Sequence, residues 1–366
     1  MCEILEQSKI RTRDERNVNL DVIRCLAMFM VIMVHTIGNL AGFAQPYNKM
    51  WYVVEITNSI VFACNGLFFM LSGYLSLDKN KESIKEFYLH KIIKIIVPFF
   101  IISFLYYVRS LYFANDLSVI SIMKNIPDFI MQFLTGNISS HFWFMYYLIG
   151  AYIMCPFLGK MVENLSDHEL KIFTGISFGL QIFITTISFT KWSFYYQAFL
   201  TIGLINWMFY FLLGYTVKRL IKPKMISWKW LIGGMICSLV VVLLEKRFLC
   251  SNPYIDNQSP TMMIMTISIF LFVRDYVHIS SMRFGKIITY IAKHSFVVYM
   301  MHMIVLARII PVFINKMNSG WGIIGYGLAG YVMICVVTIG ISIILNALFF
   351  NPIIKVIFHL TDKNKK

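Results

Sequence analysis

Arg24 and His35 stand in one apolar run that starts at Leu20, with ten residues between them. Eleven steps of about 100° on an α-helix come to nearly three turns, so the two side chains share a face, roughly 16 Å apart along the axis. If that helix spans a bilayer, a guanidinium and an imidazole lie one above the other at membrane depth. Ionisable groups there are expensive, and by default they are candidates for function. An imidazole can accept and return a proton, while a guanidinium is a fixed cation. Asp21 precedes Arg24 by three residues and can pair with it on the same face. The ordinary reading of that pair is an arginine snorkelling to the cytoplasmic surface beside its carboxylate.

Other polar residues fall at comparable depths. A second apolar run ends Leu-Phe-Phe-Met-Leu-Ser-Gly-Tyr, placing Ser72 and Tyr74 near the level of Arg24. Small Ser72 and Gly73 allow two helices to approach closely. Lys91 and Lys94 are three apart and share a face at the start of the third run. Such lysines serve as topology signals and headgroup contacts, or as a phosphate-binding step for an anionic cofactor. The fourth run opens with His141-Phe-Trp143, where aromatic residues are ordinary at an interface and His141 is expected at the outer surface. In the ninth run Tyr299 and His302 are three apart, and His302 falls towards the outer half. Three histidines from three runs thus converge on one depth, which points to a polar cavity opening outward.

The elements that position these residues are membrane helices. Of 366 residues, 58% are hydrophobic and 14% charged, and the mean hydropathy is +0.69, far from the soluble average. Apolar blocks near the ~20 residues needed to cross a bilayer occur at about 19–42, 52–75, 95–112, 141–160, 170–189, 199–217, 228–245, 260–276, 287–310 and 322–350. Residues 118–135 read as an interfacial or re-entrant segment. With the N-terminus inside, 24 of the 33 Lys and Arg residues fall on cytoplasmic segments and eight on outer ones. That asymmetry predicts an even number of spans with both termini cytoplasmic. The expected organisation is therefore an all-α, polytopic bundle of about ten transmembrane helices over residues 19–350. A basic cytoplasmic tail (1–18) precedes it and a cytoplasmic tail (351–366) follows.

The net charge of +15 reads as topology and attraction to membrane lipid, and needs no nucleic acid to explain it. Seven cysteines form no CxxC pair, so neither a disulfide framework nor a metal site is indicated. The first apolar run is too long for a cleaved signal peptide and reads as a signal-anchor.

At these residues the chain resembles the acyltransferase-3 family of integral membrane O-acyltransferases, which modify bacterial surface glycans. Asp21, Arg24 and His35 match the family's first-span pattern, and Phe68-Phe69-Met-Leu-Ser72-Gly73-Tyr74 matches its second-span phrase. Lys91 and Lys94 occupy its basic-x-x-basic position, where many members carry arginines, and lysine keeps the charge without the bidentate fork. His141-x-Trp143 and Tyr299-x-x-His302 are similar to further family signatures.

The resemblance implies transfer of an acyl group, acetyl being the expected one, from cytoplasmic acyl-CoA to a hydroxyl of a surface or lipid-linked glycan. It places the protein in the bacterial cytoplasmic membrane, with acyl-CoA as a donor substrate and no permanently bound cofactor. Lys91 and Lys94 would hold the donor's phosphates, and Arg24 would orient the donor or balance its charge. His35 would act as general base or as a transient acyl carrier. Asp21, Ser72, Tyr74, His141, Trp143, Tyr299 and His302 would support the site. A transporter or flippase for a glycan or small anion is the rival reading of the same polar cavity, weakened by the lack of an inverted repeat. A membrane sensor domain is a third.

Overall fold

The computed structural model describes residues 17–43, 47–77, 83–113, 118–188, 206–249, 259–314 and 320–363. Regular structure among them is entirely helical. A helix closes its backbone hydrogen bonds within one segment, which an apolar surrounding without water demands.

Helix α1 (Val18–Leu40) starts at Asn17, whose side chain accepts from the Asn19 N–H, and carries Asp21 in its first turn. Both features complement the exposed amides of a helix N-terminus. The second expected span is bent into α2 (Lys49–Val61) and α3 (Cys64–Ser76) by a tight turn at Phe62 and Ala63. Helix α4 (Ile84–Phe113) begins with a capping box, Ser83 and Glu86 each bonding the other's backbone N–H.

The 118–135 segment folds into α5 (Val119–Lys124) and α6 (Ile126–Thr135), too short to cross a bilayer. It lies along α4, with Phe129 against Phe100, Phe104 and Tyr107. A 3₁₀ turn (Ser140–Phe142) leads into α7 (Trp143–Asn164), followed by α8 (Asp167–Ser188), α9 (Trp207–Leu220), α10 (Trp228–Leu249) and α11 (Pro260–Tyr276). Helices α12 (Met282–Ile314) and α13 (Gly320–Leu345) come next, then a π-helical turn (Asn346–Phe350) and α14 (Asn351–Lys363).

By length and composition, seven of the described helical stretches are long and apolar enough to cross a membrane. Helices α9, α10 and α11 occupy the other three expected spans, the sixth of which begins outside the described residues. Most of the basic N-terminal tail also lies outside them. The expected boundary at 350 is not a break in the structure. The chain passes through the π turn directly into α14, which begins Asn351-Pro352. Phe358 of the expected tail lies under Lys94, 5.5 Å from the ammonium to the ring centre.

Helix α1 is central, packing against α2, α3, α11, α12 and α13. Beside it α3 and α9 are in close contact through two glycines. A Cβ on Gly73 would overlap the backbone of Phe211, and one on Gly214 would overlap the backbone of Met70. The small residue at position 73 therefore does what the spacing predicts.

At the end of the bundle where α7, α9 and α11 terminate, arginines bond the last carbonyls. Arg219 donates to Val162 and Leu165 carbonyls at 2.9 and 2.7 Å, and Arg274 to that of Ile221 at 3.1 Å. Charges that count as topology in the sequence thus also satisfy helix C-termini. Large apolar side chains such as Phe157, Ile176, Val332 and Val336 lie exposed on the outer helices, as a lipid-facing surface requires.

Candidate active site

Two polar regions are strung along α1. Arg24 is bonded to Asp21 at 2.8 Å, with the carboxylate buried and the guanidinium half-buried. The partner expected for it is confirmed, but the guanidinium also lines a cavity of about 450 Å³. Ser72, Lys91, Lys94, Lys293 and Tyr299 share that wall. Lys91 donates to Ser76 Oγ at 3.2 Å and lies 5.3 Å from the centre of the Tyr152 ring. Pro98, one turn beyond Lys94 and also on the wall, cannot supply the N–H that would bond the Lys94 carbonyl. The cavity is therefore cationic, with hydroxyl and aromatic groups between the charges.

Almost three turns along the same helix, His35 meets His302 and His141, with ring centres 5.1 and 6.5 Å away; His141 and His302 are 5.2 Å apart. The three expected histidines do converge. His141 is buried within the protein. The 3₁₀ turn carries it inward, where the Tyr299 hydroxyl bonds its backbone carbonyl. Its Nε2 faces the Met300 carbonyl at 3.3 Å and its Nδ1 the Ser139 hydroxyl at 2.9 Å. A carbonyl only accepts, so Nε2 carries the proton and Nδ1 accepts from Ser139. Tyr106, which sequence reasoning does not single out, supports the same wall by donating to the Met300 carbonyl at 2.8 Å. His302 is fully buried and its Nδ1 is bonded to the Tyr299 carbonyl.

Tyr299 joins the two regions: it lines the cavity, holds the His141 backbone, and its ring centre is 5.8 Å from that of His302. Two of the expected residues are elsewhere. Tyr74 faces Phe270 and Lys218, with its ring centre 5.7 Å from that of Phe270. Trp143 packs on Trp207, ring centres 5.0 Å apart, and among the described residues it neither lines the cavity nor makes a ring contact with the histidines. Conversely, Lys293, Asn346 and Asn351 line the cavity and were not anticipated. Two asparagines five apart fit no α-helical face, so periodicity does not flag them.

The family model for the acyltransferase-3 acyltransferase domain matches residues 17–347. No curated protein and no solved structure matches the chain. The match runs from α1 into the first residues of the π turn, and takes in the histidine cluster and the cavity wall except Asn351 and Ile354. The chain belongs to the acyltransferase-3 family of membrane acyltransferases.

Proposed function

We propose that this acyltransferase moves an acyl group, acetyl being the expected one, from cytoplasmic acyl-CoA to a hydroxyl of a surface or lipid-linked glycan at the bacterial cytoplasmic membrane. The observation that carries the reading is the division of α1 between a cationic cavity at Arg24 and a histidine cluster at His35, with Tyr299 belonging to both. Lys91 and Lys94 suit the donor's phosphates. Arg24, held by Asp21, suits the orientation of the thioester arm passing Ser72.

At the other end His35 is half-buried and makes no side-chain hydrogen bond among the described residues, so its imidazole is available to an incoming hydroxyl. The hydroxyl oxygen attacks the thioester carbonyl while His35 takes its proton. The C–S bond then breaks, and the imidazolium returns the proton to the departing thiolate. His141 and His302 hold and complete that end of the path, while Tyr74 and Trp143 act through packing. Family membership favours transfer over the transport reading.

The test compares surface polysaccharide from strains carrying wild type and His35→Ala by mass spectrometry, with protein abundance in parallel. Loss of the acyl mass increment with normal accumulation is expected. Normal acylation by His35→Ala would overturn the proposal, and glycan movement without any need for acyl-CoA would favour a transporter.

A further inference from the structure

We infer that the π-helical turn Asn346–Phe350 is a donor-reading element, which sets the carboxamides of Asn346 and Asn351 on one wall to hydrogen-bond the amides of the donor's pantetheine arm. The inference rests on the acyl-CoA reading above and deepens it.

Residues five apart on an α-helix point about 140° away from each other, so a regular helix would turn the two asparagines apart. Here the Asn351 N–H bonds the Asn346 carbonyl, an i→i+5 bond closed between those two residues. That bond stacks them, and both side chains reach the cavity. Single π turns within α-helices are rare and recur at functional sites.

The hydrogen bonds of Asn346 fix what it can offer. Its Nδ2 lies 2.9 Å from the Ser342 carbonyl and 2.9 Å from His294 Nδ1. The carbonyl can only accept, so the amide nitrogen must face it and the carboxamide cannot be flipped. His294 Nδ1 is then the acceptor of the second hydrogen. Both amide hydrogens are committed, so Oδ1 is the atom left for a ligand, and it accepts. Asn351 is exposed and makes no side-chain bond among the described residues, so it offers a donor and an acceptor.

A ligand matched to this wall carries N–H donors and C=O acceptors on a thin chain, joined to an anionic end. The two secondary amides of a pantetheine arm and the phosphates of its nucleotide have that pattern. Lys293 adds a third lysine to Lys91 and Lys94 around the cavity.

The test uses purified full-length protein with acetyl-CoA and with acetyl-pantetheine, which keeps both amides and lacks phosphates. Asn351→Ala and Asn346→Ala are expected to raise KM about three- to tenfold for both donors, with kcat within twofold, as loss of one net hydrogen bond implies. Lys91→Ala is expected to raise KM for acetyl-CoA alone. Where Asn346→Ala fails to accumulate, Asn351→Ala decides, with Asn351→Gln restoring part of the loss. An unchanged KM in Asn351→Ala, or a rise confined to acetyl-CoA, overturns the inference while leaving the acyl-CoA reading intact. A wild type that uses neither donor overturns that reading, and this one with it.

Discussion

The backbone carbonyl of Tyr299 accepts a hydrogen bond from Nδ1 of His302, which in the neutral ring leaves Nε2 as the lone-pair nitrogen. That Nε2 is fully buried and has no hydrogen-bond partner among the described residues. His141 is the opposite case, with both ring nitrogens occupied. Nitrogens free to handle a proton therefore belong to His35 and His302. A buried acceptor without a partner costs stability, so its placement beside His35 makes it a candidate for proton handling.

The first prediction separates that nitrogen from the rest of the ring. In His302→Asn the carboxamide NH₂ takes the place of Nδ1 and keeps the bond to Tyr299, while Nε2 disappears. Accumulation and thermal unfolding are expected to match wild type, and acyl transfer to fall about 100-fold, the lower end of a general acid–base contribution. Full activity in a donor-dependent assay would show that Nε2 takes no part.

A second prediction concerns the lysines at the cavity. Lys91 is held by Ser76 and the Tyr152 ring, and Lys94 by Phe358, so each ammonium is positioned before a donor arrives. Lys91→Ala and Lys94→Ala are each expected to raise KM for acetyl-CoA about tenfold, as loss of a charge-assisted bond implies. The wild-type KM is expected to rise with salt, because exposed charges are screened. Lys→Arg at either position keeps the charge and gains a fork, and is expected to leave KM near wild type. An acetyl-CoA KM indifferent to both alanine changes would remove the lysines from the donor site.

The helices and the convergence of His35, His141 and His302 are legible in the sequence, because span length and helical periodicity are local properties. The pairing of Asp21 with Arg24 is legible for the same reason. What is not legible depends on contacts between elements. Whether Tyr74 faces the cavity or α11 depends on how α3 rotates when Gly73 and Gly214 bring it against α9. The burial of His141 depends on the Tyr299 hydroxyl, 158 residues away along the chain. Asn346 and Asn351 escape because a π turn breaks the 3.6-residue period on which face assignment relies.

The contact of α3 with α9 yields a third prediction. A methyl group on Gly73 or Gly214 would collide with backbone, which cannot swing aside as a flexible side chain can. Overpacking of that kind costs about 1–3 kcal/mol or more. Gly73→Ala and Gly214→Ala are expected to lower the thermal midpoint and the yield of folded protein. Gly340→Ala, with nothing within 4 Å of its added Cβ, is the matched control and is expected to change neither. Equal midpoints for all three would mean that the two helices do not pack through these glycines.

The last prediction concerns an ion pair away from the cavity. Glu55 on α2 and Lys246 on α10 form a salt bridge with side chains only 12% and 8% exposed. Removing one partner leaves the other charge in poor solvent, at a cost of about 3–5 kcal/mol, whereas replacing both with uncharged groups is often nearly neutral. Glu55→Gln and Lys246→Met are therefore each expected to lower the thermal midpoint in detergent strongly. The double variant is expected to recover most of the loss, a coupling that a double-mutant cycle measures directly. Strict additivity would show that the two charges do not stabilise one another. Acyl transfer by the double variant below its melting point is expected to stay near wild type, because neither residue lines the cavity or touches the histidines. A selective loss of transfer with the fold intact would instead tie this pair to the glycan side of the reaction.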